Sequence, residues 1–235
     1  MGRWDPLRPL AKDLWVAERP QRFYWLPVGT RMTVVRLPGE RLLLHSPVAL
    51  DAELRAELDS IGRVLYVVAP NRVHHLYAGD VARVYPEARL WVAPGLGRKR
   101  PDLSFVAVLG DEAPEEWREQ VQQTFFRGRP YENEVVFFHR PSRTLILCDL
   151  AFNFGPRAAA PTRLLMKLLR SHGRFGPSTL DPLLIRDRSA ARRSLERILA
   201  WDFDRVVVAH GEILESGGRD ALRAGYSWLL SSPAA

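Results

Sequence analysis

The residues best suited to chemistry stand where apolar segments of the sequence end. His74 and His75 follow the segment VLYVVAP, Asp149 ends TLILCD, and His210 ends RVVVAH. Imidazole nitrogens and a carboxylate oxygen are zinc ligands, so the four side chains would form a closed tetrahedral set if the fold brings them together. They would form an open set, with a position left for water, if one histidine turned away. Each residue also has a structural interpretation, since histidine and aspartate at strand ends commonly form local hydrogen bonds.

The composition restricts the kind of site and the class of protein. The chain has 235 residues, of which 46% are hydrophobic and 26% charged, and this predicts one domain over residues 1–235 with a substantial core. Cys148 is the only cysteine, so neither an internal disulfide nor a cysteine-based zinc site can form within the chain. No apolar run approaches the roughly 18 residues of a membrane span. We therefore expect a cytoplasmic protein without a transmembrane segment.

Apolar periodicity predicts a β-rich chain with interspersed helices. An opening hairpin is expected over residues 31–48, with its turn at PGE, and an amphipathic helix over 49–62. Residues 1–30 are expected to form an irregular arm that packs on the domain through its tryptophans. Further strands are predicted at 63–70, 89–95, 104–109, 122–126, 134–150 (as a pair) and 205–213, and further helices at 113–121, 161–171, 189–202 and 218–232.

Basic residues gather in one part of the chain, which we expect to be a helical insert over residues 151–200. Residues 151–193 contain nine arginines and lysines against two aspartates, a surplus equal to the +7 net charge of the whole chain. Between 161 and 171, Arg163, Lys167 and Arg170 fall on one helical face, and the leucines on the other are expected to point inward. A positive face suits an anionic ligand, an acidic partner or a lipid surface, although a solvated face is the simpler interpretation. No specific nucleic acid is expected as a partner.

Three segments, APNRVHHL, EVVFFHRPSRTLILCDLAF and RVVVAHGEI, resemble the metallo-β-lactamase fold superfamily. More closely, they resemble a branch of it known as a domain of unknown function. The similarity to that branch runs from about residue 31 to the C-terminal helix. It implies a four-layer αββα sandwich in one domain.

The resemblance implies that half of the usual first metal motif is missing. In active members a strand is followed by histidine, any residue, histidine, any residue, aspartate and histidine. A gapless comparison places Pro70 and Arg72 at the first two histidines, His74 at the aspartate and His75 at the last histidine. A shift of one residue would leave almost no ligand set. The adjacent histidines must also lie in a loop or a first helical turn, because a helix would point them about 100° apart.

The other motifs are partly preserved. The histidine expected before EVVFF is absent, whereas Asp149 and the His210–Gly211 pair match the later positions. In the members of the superfamily that bind two metal ions, one ion is held by the three histidines that are missing here. The ligands of the other ion are preserved in this sequence. The resemblance implies a single zinc or iron ion, held by His74, His75, Asp149 and His210.

Two functions remain open. The first is a mononuclear metal-dependent hydrolase that acts on an anionic substrate, with Arg72 standing where the first ion would lie and binding an anionic group. The second is a non-catalytic relative that binds a ligand, an acidic partner or a membrane surface through its pocket and its basic insert. Glu134 begins a strand, and its carboxylate is expected either to lie in water or to orient a ligand histidine from behind.

Overall fold

The computed structural model describes residues 6–169 and 171–231. It contains thirteen strands and eight helices in these residues. In chain order they are β1 (Arg8–Ala11), β2 (Leu14–Arg19), β3 (Arg22–Phe23), β4 (Leu26–Pro27), β5 (Thr30–Leu37), β6 (Arg41–His45), α1 (Ala52–Ile61), β7 (Arg63–Ala69), α2 (Ala78–Val84), β8 (Arg89–Val92), α3 (Leu96–Lys99), β9 (Ala107–Val108), β10 (Val121–Phe125), β11 (Val135–His139), β12 (Thr144–Ile146), α4 (Ala160–Leu168), α5 (Asp181–Leu184), α6 (Arg188–Leu199), β13 (Arg205–Val207), α7 (Gly218–Gly225) and α8 (Ser227–Leu230).

Two sheets form the centre of the structure. The larger sheet has the strand order β1-β2-β5-β6-β7-β8-β9 and becomes parallel from β6 onward. The smaller sheet has the order β10-β11-β12-β13, in which β12 and β13 are parallel neighbours. The loops that follow β7, β12 and β13 carry the histidines and the aspartate singled out above.

Three layers of apolar side chains hold the sheets and helices together. The first lies between the sheets and includes Val68, Trp117 and Phe137. The second packs α1, α2 and α3 on the larger sheet, and the third packs α6, α7 and α8 on the smaller one. Because each strand presents alternate side chains to opposite faces, both sheets are covered on two sides. The predicted αββα sandwich is confirmed.

The arm expected to be irregular is largely regular. Strand β1 pairs with β2, and β2 pairs with β5 from Leu14 to Arg19, so this part of the arm extends the larger sheet. The continuous apolar run of residues 14–17 in LWVAER was the signal for a strand. The aromatic packing was only partly right, because Trp15 is half-buried whereas Trp25 is 67% exposed. Trp4 lies outside the described residues.

The helices differ from the prediction in number, extent and packing, and α2, α3 and α5 were not predicted. Residues 113–120 form turns and no helix, and the predicted last helix is divided at Tyr226 into α7 and α8. In α4 the outward side chains include Leu164 and Leu168, which are 62% and 73% exposed, so the inward packing expected for all the leucines is wrong. Arg170, expected on the basic face of this helix, lies outside the described residues. None of the helices in the described part of the chain has the length and apolarity needed to cross a bilayer.

Candidate metal centre

His74 is directed into the molecule by the turn that follows β7. Asn71 is fully buried, and its side-chain oxygen accepts hydrogen bonds from the backbone amides of Val73 (2.8 Å) and His74 (2.6 Å). This side-chain turn is typical of asparagine after a strand and replaces the first turn of a helix. Since α2 begins only at Ala78, the two adjacent histidines lie in a turn and point in different directions.

Asp149 is held by groups that contact both its carboxylate and its backbone. Its Oδ2 accepts a hydrogen bond from Nδ2 of Asn71 at 2.7 Å. Its backbone amide and that of Cys148 donate to the two carboxylate oxygens of Glu134, each at 2.7 Å, and its backbone oxygen accepts from Nη1 of Arg129 at 2.7 Å. Glu134 is buried, so its carboxylate does not lie in water, which was one of the two expectations. Its carboxylate binds the backbone of the loop that carries Asp149, whereas the other expectation was that it would orient a ligand histidine. It therefore positions the carboxylate of Asp149.

His210 lies in a tight turn after β13. Its Nδ1 is 2.7 Å from the backbone oxygen of Gly29, which can only accept, so Nδ1 carries the proton. Gly211 has a φ of 88°, and a Cβ there would collide with the backbone oxygen of Asn153. The buried guanidinium of Arg31 donates to the backbone oxygens of Val208 and Gly211 on either side of the histidine. The ring of His210 is thus fixed with Nε2 facing inward.

The three inward side chains converge on one point. The Nε2 atoms of His74 and His210 are 3.1 Å apart. Oδ2 of Asp149 is 3.5 Å from Nε2 of His74, and Oδ1 is 3.7 Å from Nε2 of His210. Ligands at about 2.0–2.1 Å from a tetrahedral ion are about 3.3 Å from one another. The spacing of these atoms therefore fits a small divalent cation.

The hydrogen-bond partners of the two imidazoles decide which nitrogen is free. His210 uses Nδ1 as a donor, so its Nε2 carries a lone pair. Nδ1 of His74 lies 2.8 Å from Oγ of Ser46, and when it donates to that hydroxyl its Nε2 also carries a lone pair. Two lone pairs and a carboxylate then face one another, an arrangement that needs a metal ion or an extra proton between them.

Burial and mutual charge set the protonation of the group. Burial, together with His74, lowers the pKa of His210 to about 4, so this imidazole is neutral at neutral pH. Burial disfavours the charged forms of His74 and Asp149 as well, but their attraction outweighs it. The pKa of His74 is raised and that of Asp149 is held well below its usual range. Asp149 is therefore charged at neutral pH, as a ligand must be.

His75, the fourth predicted ligand, lies outside this group. Its Nδ1 is 3.1 Å from Nη1 of Arg100. Burial and the neighbouring Lys99 and Arg100 lower its pKa to about 4. The group that could hold an ion in the described part of the chain is His74, Asp149 and His210, with ligand atoms all within 4.8 Å of one another. This is the open set, in which one histidine turns away.

Arg72 lies beside the centre in the turn between Asn71 and the histidines. Its Nη1 donates to the backbone oxygen of Pro130 at 2.8 Å, and its backbone oxygen accepts from Nζ of Lys99 at 2.6 Å. The guanidinium is therefore bound to the loop before β11. Its Nε is buried without a hydrogen-bond partner.

Several residues that support the centre were missed in the sequence, among them Asn71, Ser46 and Arg129. Asn71 had a recognisable signal, because asparagine directly after a strand often forms a side-chain turn. Ser46 follows β6 with a φ of 55°, a conformation that a sequence does not reveal. Arg129 stands 20 residues before the aspartate that it contacts, and nothing local indicates its burial.

One family of proteins matches part of the chain. Residues 11–97 match the model of the family described as Domain of unknown function (DUF4336), which confirms the resemblance to such a branch over these residues. No curated protein matches the sequence at a significant level.

Solved structures similar to this chain cover nearly all of it. The DIM-1 metallo-β-lactamase is 12% identical and superimposes with a TM-score of 0.66 over 97% of this chain and 99% of its own. The metallo-β-lactamase FIM-1 from Pseudomonas aeruginosa, in its mono-zinc form, is 10% identical, with a TM-score of 0.60 over 95% of this chain and 92% of its own. The chain has the metallo-β-lactamase fold. The flavodiiron core of Flv1 from Synechocystis sp. PCC6803 shares it, with 13% identity and a TM-score of 0.68, and this chain (95% covered) spans 60% of that longer chain.

The strand order of the two sheets determines where the candidate centre lies. His74 follows a strand of the larger sheet, whereas Asp149 and His210 follow neighbouring parallel strands of the smaller one. The centre thus lies at one edge of the sandwich, where loops of both sheets meet. At identities of 10–13% these likenesses establish the fold and leave the chemistry to the residues themselves.

Proposed function

We propose that this protein is a mononuclear metal-dependent hydrolase whose single zinc or iron ion is held by His74, Asp149 and His210. One observation carries the proposal: two imidazole Nε2 atoms and a carboxylate converge within 4.8 Å. Each side chain is held in place by a neighbour. Ser46 contacts the ring of His74, Asn71 and Glu134 hold Asp149, and Gly29 accepts a hydrogen bond from the ring of His210. Support of this kind fixes the orientation of metal ligands and raises metal affinity.

The number of ligands favours catalysis over a structural role. Structural zinc sites usually have four protein ligands, whereas catalytic sites have three and keep a position open. Two histidines and one carboxylate suit both catalytic zinc and non-haem iron(II). A bound ion would supply Lewis-acid chemistry, polarising a substrate oxygen and lowering the pKa of water. The mono-zinc form of FIM-1 supports the idea that this fold can hold one ion.

A cluster of cations supports an anionic substrate. Lys99 bonds to the backbone of Arg72, and Arg100 lies against His75, on the turn that also carries His74. Burial and the charges of Arg72 and Arg100 lower the pKa of Lys99, as expected where like charges crowd together. Asp102 neutralises part of this charge through Arg100. The remaining charge would attract a substrate anion.

A protonated His74 is the metal-free alternative. Its Nε2–H would donate to Nε2 of His210, 3.1 Å away, and its raised pKa is consistent with that form. The protein would then belong to the second class considered above, a non-catalytic relative that binds a ligand through the same pocket. The two alternatives differ in metal content.

Elemental analysis of protein purified without chelator or affinity tag tests the metal centre. We expect about one equivalent of zinc or iron, lost in Asp149→Ala and in His210→Ala while circular dichroism stays unchanged. His75→Ala is the matched control, because this histidine is next to a ligand but outside the group, and it should retain the metal. Metal content that is negligible, or indifferent to Asp149 and His210, would favour the protonated pair and refute the proposal.

Hydrolysis is tested separately from binding. The metal-loaded and metal-stripped forms should be compared on panels of anionic phosphoesters, carboxylate-bearing esters, thioesters and lactams. Activity that appears only in the loaded form and disappears in Asp149→Ala would support the hydrolase. A loaded protein that hydrolyses none of these classes above the buffer rate would point to the non-catalytic class.

Ser46→Ala should weaken the centre without removing a ligand. The substitution deletes the hydroxyl that fixes the ring of His74, and loss of such a partner typically costs roughly 10–100-fold in metal affinity. Competition with a chromophoric chelator measures the effect. Ser142→Ala is the control, since its hydroxyl is 2.7 Å from Nδ1 of His139, away from the centre. Equal affinities for the two variants would show that Ser46 does not orient a ligand.

A further inference from the structure

The hairpin β3–β4 exposes three consecutive aromatic side chains. Phe23, Tyr24 and Trp25 are 55%, 86% and 67% exposed. Phe23 and Tyr24 pack edge to face on each other, with ring centroids 5.0 Å apart. Three adjacent exposed aromatic side chains are unusual on a protein surface that faces solvent, and they indicate a binding function.

Helix α4 adds a second exposed apolar group beside the hairpin. It packs against β4, and the hydroxyl of Thr162 donates to the backbone oxygen of Pro27. On the outward side of the helix, Leu164 and Leu168 lie four residues apart and are 62% and 73% exposed. We call these leucines and the three aromatics the apolar surface, defined by Phe23, Tyr24, Trp25, Leu164 and Leu168.

The two segments of the sequence that carry the apolar surface contain basic residues and no acidic ones. No aspartate or glutamate occurs between residues 19 and 39 or between 151 and 180, the two segments that carry it. Arg22, Arg157 and Lys167 in these segments are exposed. Three acids, Glu18, Glu212 and Glu215, line the groove behind the hairpin. An occupant of this face should therefore be apolar and negatively charged.

We propose that the hairpin β3–β4 and helix α4 form a peripheral docking surface for an anionic lipid bilayer. Tyrosine and tryptophan favour the boundary between water and hydrocarbon, because one part of each ring system is polar and the rest apolar. Exposed leucines enter the acyl region, and flanking cations attract anionic headgroups. All three features occur together here, in two segments of the sequence that contain no acidic residue. None of the five residues of the apolar surface belongs to the candidate metal centre.

Docking would place a large groove close to the bilayer. The groove has a volume of about 1170 Å³ and runs between the hairpin, the start of the basic insert and the loop after β13. Pro27, Ala159 and Gly211 are among the residues that line it. Because Gly211 adjoins His210, the groove leads from the apolar surface towards the loop that carries a candidate ligand.

Co-sedimentation with vesicles tests the aromatic part of the surface. Wild-type protein should bind vesicles of phosphatidylcholine with phosphatidylglycerol and should bind pure phosphatidylcholine much more weakly. Tyr24→Ser/Trp25→Ser should lose at least about tenfold in affinity for the vesicles, since each substitution removes aromatic area that the bilayer would bury. Val106→Ser/Val108→Ser is the matched control, because these half-exposed valines lie on or beside β9, at the edge of the larger sheet opposite β1.

Charge reversal tests the electrostatic part. Arg157→Glu/Lys167→Glu should lower affinity for the anionic vesicles by roughly fivefold or more per residue changed. Arg118→Glu/Arg140→Glu changes the net charge equally at other exposed positions and should have a much smaller effect. Quenching of fluorescence by brominated lipid should fall in Trp25→Phe, which reports whether this ring enters the bilayer.

Three results would overturn the proposal. The wild type would fail to bind anionic vesicles, or the aromatic and charge variants would bind as the wild type does, or each variant would lose no more than its control. Unchanged circular dichroism and metal content of every variant would show that folding and the centre are unaffected. The outcome is therefore distinguishable from failure of the proposed hydrolase function.

Discussion

Arg129→Met is expected to lower the free energy of unfolding by about 3–5 kcal/mol at neutral pH. The guanidinium is buried and lies 3.1 Å from carboxylate oxygens of both Glu132 and Asp181. Asp181 is fully buried, and methionine fills a similar volume without charge. The variant therefore leaves two buried carboxylates without their cation, and this uncompensated charge dominates the cost. Urea unfolding monitored by circular dichroism measures it.

The pH dependence of the Arg129→Met defect should identify its cause. Burial raises the pKa of Asp181 from its ordinary value of 3.8 to about 6, although Arg129 opposes the rise. Without Arg129 the folded-state pKa rises further. A carboxyl group with a raised folded-state pKa costs stability when it is ionised and recovers that stability once protonated. The defect should thus grow as the pH rises above the folded-state pKa of the variant and shrink as the pH falls through it.

Two further variants serve as controls for Arg129. Arg127→Met removes a half-exposed guanidinium paired with Asp111, and it should cost no more than about 1 kcal/mol. Arg129→Met/Asp181→Asn should recover part of the loss, because one of the stranded carboxylates is gone. Equal costs at Arg127 and Arg129, or a defect that grows as the pH falls, would contradict the buried-charge explanation.

Gly211→Ala should destabilise the fold by more than about 2 kcal/mol and should also reduce metal binding in the protein that remains folded. A left-handed residue with a side chain is strained by itself, and a Cβ here also collides with the backbone oxygen of Asn153. The turn must therefore shift, and His210 shifts with it. Thermal unfolding and metal stoichiometry of the same preparation measure the two effects.

Gly217→Ala separates strain from collision. Gly217 has a similar φ of 70°, but a Cβ there would meet nothing within 4 Å. Its alanine variant should cost about 1–2 kcal/mol for the backbone conformation alone and leave the metal content unchanged. If both alanine variants behave alike, the collision at Gly211 does not govern the position of His210.

The sheets were predictable because their signals are local and periodic. Strands β7 and β11 are almost continuously apolar, and β5 is rich in β-branched residues. Predictions from burial were less successful. Leu164, Leu168 and Trp25 look like core residues in the sequence but are exposed, since apolarity does not say which surface covers a side chain.

Three of the four residues singled out in the sequence lie together in the structure, but their geometry could not be predicted. His74, Asp149 and His210 were identified because each ends a strand and matches a motif. His74 and His75 could not be distinguished, because the orientation of adjacent residues in a turn depends on the hydrogen bonds of Asn71. Arg129 acts through a tertiary contact with Asp149, and Ser46 lies in a left-handed backbone conformation. Neither feature leaves a recognisable pattern in the sequence.

The hydrogen bond between His210 and Gly29 joins the candidate centre to the hairpin. Gly29 stands two residues after β4, and its backbone oxygen fixes the tautomer of a proposed ligand. Any equilibrium that displaces Gly29 then changes the affinity of the ligand for its ion. Because such coupling is reciprocal, an ion on His210 must in turn alter the free energy of moving the hairpin by the same amount. A change in ion occupancy would then shift the position of the hairpin β3–β4, and a movement of the hairpin would shift ion occupancy.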